Sequence, residues 1–206
     1  MGLSATALHG ALAELATSHA EVAETLALVG LPEARERAPG PATLARTIVG
    51  QQVSVASARA ILARLEALVG AELPMERLAA ASDEALRGVG LSRQKSAYLR
   101  SLAEHVADGR LDLAALPADD EAAIVALTAV KGIGRWSAEV YLLFAEGRPD
   151  VWPAGDLAVQ ASVGTMLKRE RPSERELRTI GERWRPHRGA MAILAWHRYN
   201  SAGVAL

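Results

Sequence analysis

Leu127-Thr128-Ala129-Val130-Lys131-Gly132-Ile133-Gly134-Arg135-Trp136-Ser137-Ala138-Glu139-Val140-Tyr141 is the stretch that decides the fold. Helical spacing of apolar residues on both sides predicts two helices joined by a tight turn at Gly132-Ile133-Gly134. The glycines let the backbone bend sharply. The second helix starts at the turn, so its first N–H groups and the positive end of its dipole point outward, where an anion binds. A single acid follows in the loop Val151-Trp152-Pro153-Ala154-Gly155-Asp156. A phosphate grip followed by one carboxylate points to chemistry on nucleic acid. A dinucleotide fingerprint would need a preceding strand and a third glycine; here the preceding segment is helical and Ser137 stands at the later position.

The same helical spacing runs through the whole chain of 206 residues, and no alternating strand pattern appears. Helices are predicted over 5–28, 42–51, 55–69, from Ser82 to Gly88, from Ser92 to near Gly109, from Asp119 into the turn, and over 134–146. Three more follow over 157–167, from Pro172-Ser173-Glu174 to about 183, and from Pro186 to about 200. Gly88-Val89-Gly90 also precedes a helix with Ser-Ala and then Tyr-Leu, which hints at two related helix–turn–helix units. About ten helices and no strand make an all-α protein.

Composition narrows the chemistry. Half of the residues are hydrophobic, ample for a core, and there is no Cys, which excludes disulfides and thiolate-held metals. The five His show no metal-binding spacing. No apolar run has transmembrane length and the N-terminus lacks a signal pattern, so a cytoplasmic, intracellular location is expected, nucleoid-associated if the chain acts on DNA. The net charge of −1 does not itself indicate nucleic acid. Its distribution does more: residues 168–188 hold eight Lys and Arg against four acids, whereas residues 1–34 hold four acids and no Lys or Arg. That segment either attracts a polyanion or forms a solvated face with intrahelical ion pairs.

The turn Val130 to Ala138 followed by Asp156 resembles the helix–hairpin–helix DNA glycosylases of base-excision repair, and most of all the DNA-3-methyladenine glycosylase II family. Three further stretches share the likeness: Ile48 to Ser54, Gly88 to Lys95, and Trp184 to Arg188 with Trp196. The resemblance implies an all-α, two-lobed fold with duplex DNA in a cleft between lobes. It implies one compact unit over 1–206, with the hairpin at about 120–146 and one lobe formed by both chain ends, about 1–40 and 157–206. Larger members begin with a β-rich domain, and a chain of this length is expected to be a minimal form without it. A monomer needing no organic cofactor is expected, with a monovalent cation held by hairpin carbonyls.

Roles follow residue by residue. Asp156 is the expected catalytic carboxylate. It also directly precedes a helix and so reads equally as an N-cap, and the two readings are compatible. N-glycosidic cleavage passes through a cationic sugar, which an adjacent anion stabilises. Trp136 and Trp196 are expected to stack on a flipped, positively charged alkylpurine, though core packing is the ordinary fate of Trp. Trp152 is a third aromatic near the motifs. Val140 stands where the family has a pocket Tyr, so Tyr141 becomes the candidate, and Gly155 stands where an acid often precedes the catalytic Asp. Gln52 is read as the wedge that fills the hole left by the extruded nucleotide, with Gln51 beside it facing the cleft; a pair of helix-end caps is the other reading. Lys131, Gly132, Ile133, Gly134, Arg135, Ser92 and Lys95 are expected to meet the DNA backbone. Trp136 occupies the position where lyase-competent relatives carry a Schiff-base Lys, which implies a monofunctional enzyme. Two alternatives stay open: a non-catalytic DNA-binding module, and a glycosylase–lyase.

Overall fold

The computed structural model describes residues 2–201, which form twelve α-helices, a π turn and a 3₁₀ turn, with no strand among them. The helices are α1 (Ala5–Ser18), α2 (Ala20–Val29), α3 (Pro41–Gly50), α4 (Val55–Val69), α5 (Met75–Ala80), α6 (Asp83–Gly88) and α7 (Arg93–Ala107). They continue as α8 (Asp120–Thr128), α9 (Arg135–Tyr141), α10 (Leu157–Met166), α11 (Glu174–Gly181) and α12 (Arg188–Ser201). The chain divides into two compact units: residues 1–37 with 142–206, and residues 38–141. No helix among the described residues is long and apolar enough to cross a membrane.

Most helix starts are set locally. Ser54, Ser82, Ser92, Asp119, Asp156 and Ser173 each accept a hydrogen bond from an N–H in the first turn they cap, which satisfies a donor the helix itself cannot. Ser173 and Glu176 complete a reciprocal capping box.

The structure corrects the sequence in four places. Residues 5–28 are two helices, because His19 takes an extended conformation (φ −128°) after Thr17 has turned its hydroxyl back onto Glu14 O at 2.7 Å. Helix α5 was not expected; six residues with no side-chain cap at Pro74 leave too little periodicity to read. The helix leaving the hairpin is α-helical only to Tyr141 and continues as a π turn over Leu142–Glu146. The last helix starts at Arg188, not at Pro186. The two glycine trios do lie in helix–turn–helix connections, but out of register. Gly90 (φ 97°) and Gly132 (φ 87°) are the left-handed residues, so the last glycine of one trio corresponds to the first of the other.

In the unit formed by both ends, α1 places Leu8, Leu12 and Leu15 on one buried face, and α10, which buries Val159 and Val163, packs along α12, which buries Met191 and Leu194. In the other unit, α3, α4, α5 and α7 bury Leu44, Ile48, Leu65, Leu78, Leu99 and Leu102, and α8 adds Leu127. Each buried Leu contributes about 1.5–3 kcal/mol relative to exposure.

Candidate active site and nucleic-acid interface

The hairpin lies in the unit of residues 38–141 and is held from behind. A Cβ on Gly132 would stand 2.2 Å from the Tyr98 ring, so this ring of α7 packs directly against the turn. Ser101, also on α7, takes the Lys131 N–H on its hydroxyl at 3.2 Å. The Gln51 carboxamide donates to Gly132 O at 2.8 Å and ties the loop after α3 to the hairpin. Ile133 N donates to Val130 O, and α9 opens with Ala138 N on Gly134 O. Gly134 and Arg135 open that helix, where the first-turn N–H groups lie outside the helix's own hydrogen-bond ladder. Lys131 and Gly134 are exposed, and Ile133 is buried as the hydrophobic pin of the turn.

Gln52 is exposed at the tip between α3 and α4 and has a positive φ of 53°, a conformation uncommon outside glycine. Trp136, the second residue of α9, is 44% exposed, and Trp is the largest apolar surface a side chain can offer.

Three of the expected contact residues also have side-chain partners within the protein. Tyr141 is 2% exposed and its hydroxyl accepts from Gly40 N at 2.9 Å, so it fixes the chain entering α3. The Lys95 ammonium donates to Val49 O at 2.8 Å, near the C-terminus of α3, where a cation complements the helix dipole. Burial pulls that ammonium below the usual lysine range. The Arg135 guanidinium bridges Glu121 on α8 and buried Glu139 on α9, with Nε 3.0 Å from Glu139 Oε1. Its hydrogen bond to Glu121 raises its pKa further, and it clamps the two arms of the hairpin together. Ser92 caps α7 by accepting from Lys95 N at 3.2 Å.

Asp156 and Trp196 lie in the unit formed by both chain ends. Asp156 is the N-cap of α10: Oδ1 accepts Ala158 N at 2.9 Å and Val159 N at 3.0 Å, which anchors that carboxylate oxygen at the helix start. The loop before it is pinned at several points. Asp150 receives a two-pronged grip from Arg188 (Nε to Oδ1 and Nη2 to Oδ2, both 2.9 Å) and a further bond from Arg185. Trp152 donates its indole N–H to Leu177 O at 3.0 Å and packs edge-on to Trp184. It is 4% exposed, a core residue and not a pocket wall. Gln160, one turn into α10, reaches back to Ala154 O at 2.8 Å.

Trp196 is half-buried and packs on Phe144 with ring centroids 5.6 Å apart. Both line a cavity of about 310 Å³ with Leu31, Glu33, Ile193 and His197. Phe144 had no sequence signal. It lies on the π turn, and the Arg37 guanidinium stands 5.8 Å from its ring centroid.

The basic segment 168–188 proves largely paired: Lys168 with Glu24, Arg169 with Glu176, Arg178 with Glu174, Arg183 with Glu21, and Arg185 and Arg188 with Asp150 and Glu182. The pairing runs between elements as well as within α11, so most of this charge is neutralised locally. Among the described residues no group of three or more His, Asp or Glu is placed to hold a metal ion.

A left-handed glycine turn, braced from behind and presenting helix-start amides, in an all-helical chain with a capped aspartate beyond it defines a helix–hairpin–helix DNA-repair fold. The chain belongs to the HhH-GPD superfamily of base excision DNA repair proteins, whose family model matches residues 45–186. Within it the likeness is to DNA-3-methyladenine glycosylases. DNA-3-methyladenine glycosylase 2 of Escherichia coli is 31% identical over 162 residues, covering 74% of this chain and 55% of that protein. The solved DNA-3-methyladenine glycosidase of Bacillus halodurans is 34% identical with a TM-score of 0.82, covering 92% of this chain and 88% of that one. The Schizosaccharomyces pombe 3-methyladenine DNA glycosylase in complex with abasic DNA is 27% identical, with a TM-score of 0.79 and coverage of 95% and 98%. The chain spans about half the length of the curated relatives it matches.

Proposed function

We propose that this protein is a monofunctional DNA glycosylase that releases alkylated purines of the 3-methyladenine kind from duplex DNA, where the chromosome is its partner. The observation that carries the reading is Asp156: a carboxylate held by two backbone N–H groups at the start of α10, in a chain whose hairpin presents Trp136 and no Lys on its second helix. The turn amides at Gly134 and Arg135 bind a phosphate oxygen, and exposed Lys131 adds charge. Gln52, exposed on its loop tip, enters the duplex as the base leaves, and Gln51 holds that loop to the hairpin. Trp136 and Trp196 each offer an aromatic face to the cationic base.

As the glycosidic bond lengthens, positive charge grows on the deoxyribose, and the Asp156 carboxylate stabilises it and orients the attacking water. The bond electrons go to the purine, water supplies the new C1′ oxygen, and the proton that water loses passes to Asp156 or to solvent. A monovalent cation at the hairpin belongs to the same proposal. Val130 O and Gly132 O each accept one hydrogen bond and retain a second lone pair, which fits an oxygen-bound cation. No step runs through it.

Release of modified base from methylated duplex DNA tests the reading. The native chain releases base, and Asp156→Asn binds the same DNA without releasing it. Equal release by the two proteins removes Asp156 from the chemistry. Binding without release by the native chain makes the protein a phosphate clamp only, and a borohydride-trapped adduct makes it a lyase.

A further inference from the structure

The loop that carries Asp156 is docked on a single face of α11. Leu177 O accepts the Trp152 indole N–H. Gly181 lies so near that indole that a Cβ on it would stand 2.5 Å from Nε1. At the start of the same face the Glu174 carboxylate lies over Gly155, with Oε2 3.3 Å from where a Cβ of residue 155 would be. Positions 174, 177, 178 and 181 follow the i, i+3, i+4, i+7 rule and form one stripe. Arg178 belongs to that stripe, and its Nε and Nη2 donate to Glu174 Oε1 at 3.2 and 2.7 Å.

Gly155 is not among the glycines with positive φ, so the backbone does not demand glycine there. What glycine leaves is space, and Glu174 fills it. The Glu174 and Arg178 side chains are 52% and 33% exposed, and a pair so open contributes little to stability. Its consequence lies in where it sets charge.

We propose that the Glu174–Arg178 pair is a positioning element for Asp156: the Glu174 carboxylate occupies the gap left by Gly155 and holds the Arg178 guanidinium against the segment bearing the catalytic acid. The inference rests on Asp156 having the role proposed above. It makes residue 155 and residue 174 a coupled pair, since an acid introduced at 155 competes with Glu174 for one site.

Single-turnover base release from methylated duplex DNA by Gly155→Asp, Glu174→Ala, their double variant, Arg178→Lys and Arg178→Met tests it. Gly155→Asp lowers the rate roughly tenfold, as expected for two groups in direct contact. Glu174→Ala lowers it a few-fold. The double variant recovers most of the Gly155→Asp loss, because a carboxylate again stands beside Arg178 in the vacated gap. Arg178→Lys retains more activity than Arg178→Met. DNA affinity and thermal midpoints stay near native across the set, whereas a merely structural pair would lower the midpoint and leave the rate of the folded protein unchanged. Losses that multiply in the double variant overturn the proposal, and so does equal activity of Arg178→Lys and Arg178→Met, which decides the matter if Gly155→Asp does not fold. A native chain that releases no base overturns the glycosylase assignment and this inference with it. Native release that Asp156→Asn abolishes, combined with a multiplicative cycle, overturns the inference alone.

Discussion

Replacing Gly132 by alanine tests the account of the hairpin most directly. Two costs add. The backbone at Gly132 has φ 87°, and a Cβ in the left-handed region costs about 1–2 kcal/mol. The new methyl would also stand 2.2, 2.3 and 2.8 Å from three carbons of the Tyr98 ring, so a ring packed against the turn must swing away. Overpacking of this kind costs about 1–3 kcal/mol. Together the loss is about 3 kcal/mol, a large share of the stability of a small protein. The two terms separate in a cycle with Tyr98→Ala. With the ring gone the methyl has room, so only the backbone cost of about 1 kcal/mol remains, and the coupling is about 2 kcal/mol. Urea unfolding of the four proteins measures it through midpoints at constant slope. Fluorescence anisotropy with an abasic duplex adds a functional readout, because a displaced turn no longer aims its amides at a phosphate. A Gly132→Ala cost that is the same with and without the Tyr98 ring would refute the bracing argument.

Further outcomes follow from the same geometry. Asp156→Ala removes the α10 cap and lowers stability by about 1 kcal/mol, whereas Asp156→Asn caps equally well and stays within a few tenths of native, so denaturation of the pair separates capping from catalysis. Asp150→Asn breaks the fork with Arg188, in which both side chains are mostly buried, and costs about 2 kcal/mol by calorimetry, less than the 3–5 of a fully buried pair. Lys95→Met releases the end of α3 and weakens duplex binding more than it weakens folding, which paired anisotropy and urea titrations detect. Glu182 is held below the usual glutamate range by its hydrogen bond to Arg185 and by the charges of Arg185 and Arg188. A depressed folded-state pKa stabilises above the unfolded value, near pH ~4.3, and that contribution fades as pH falls through the folded value. Acid titration therefore shows a loss in native protein that Glu182→Gln lacks.

Much of the local structure around the candidate site was legible in the sequence. The helix starts at Ser82, Ser92, Asp119, Asp156 and Ser173, the glycine turn, and the loop carrying Gln51 and Gln52 depend on contacts a few residues long, and short motifs encode such contacts. The residues hardest to read from sequence were those whose chemistry suits two roles. Lys95 and Arg135 carry the charge of a phosphate contact, yet one binds a carbonyl 46 residues away and the other joins α8 to α9. Tyr141 has the ring of a pocket wall and is buried instead against Gly40.

Helix positions, turn chemistry and the order of the motifs thus belong to the linear chain, because hydrogen bonding within one turn and the period of apolar residues set them. Which side chains meet was a matter of folding. Tyr98 behind Gly132, Gln51 on its carbonyl, Phe144 against Trp196 and Glu174 over Gly155 join residues far apart in the chain. Such meetings are chosen by how whole helices bury their apolar faces, and no local pattern carries that choice.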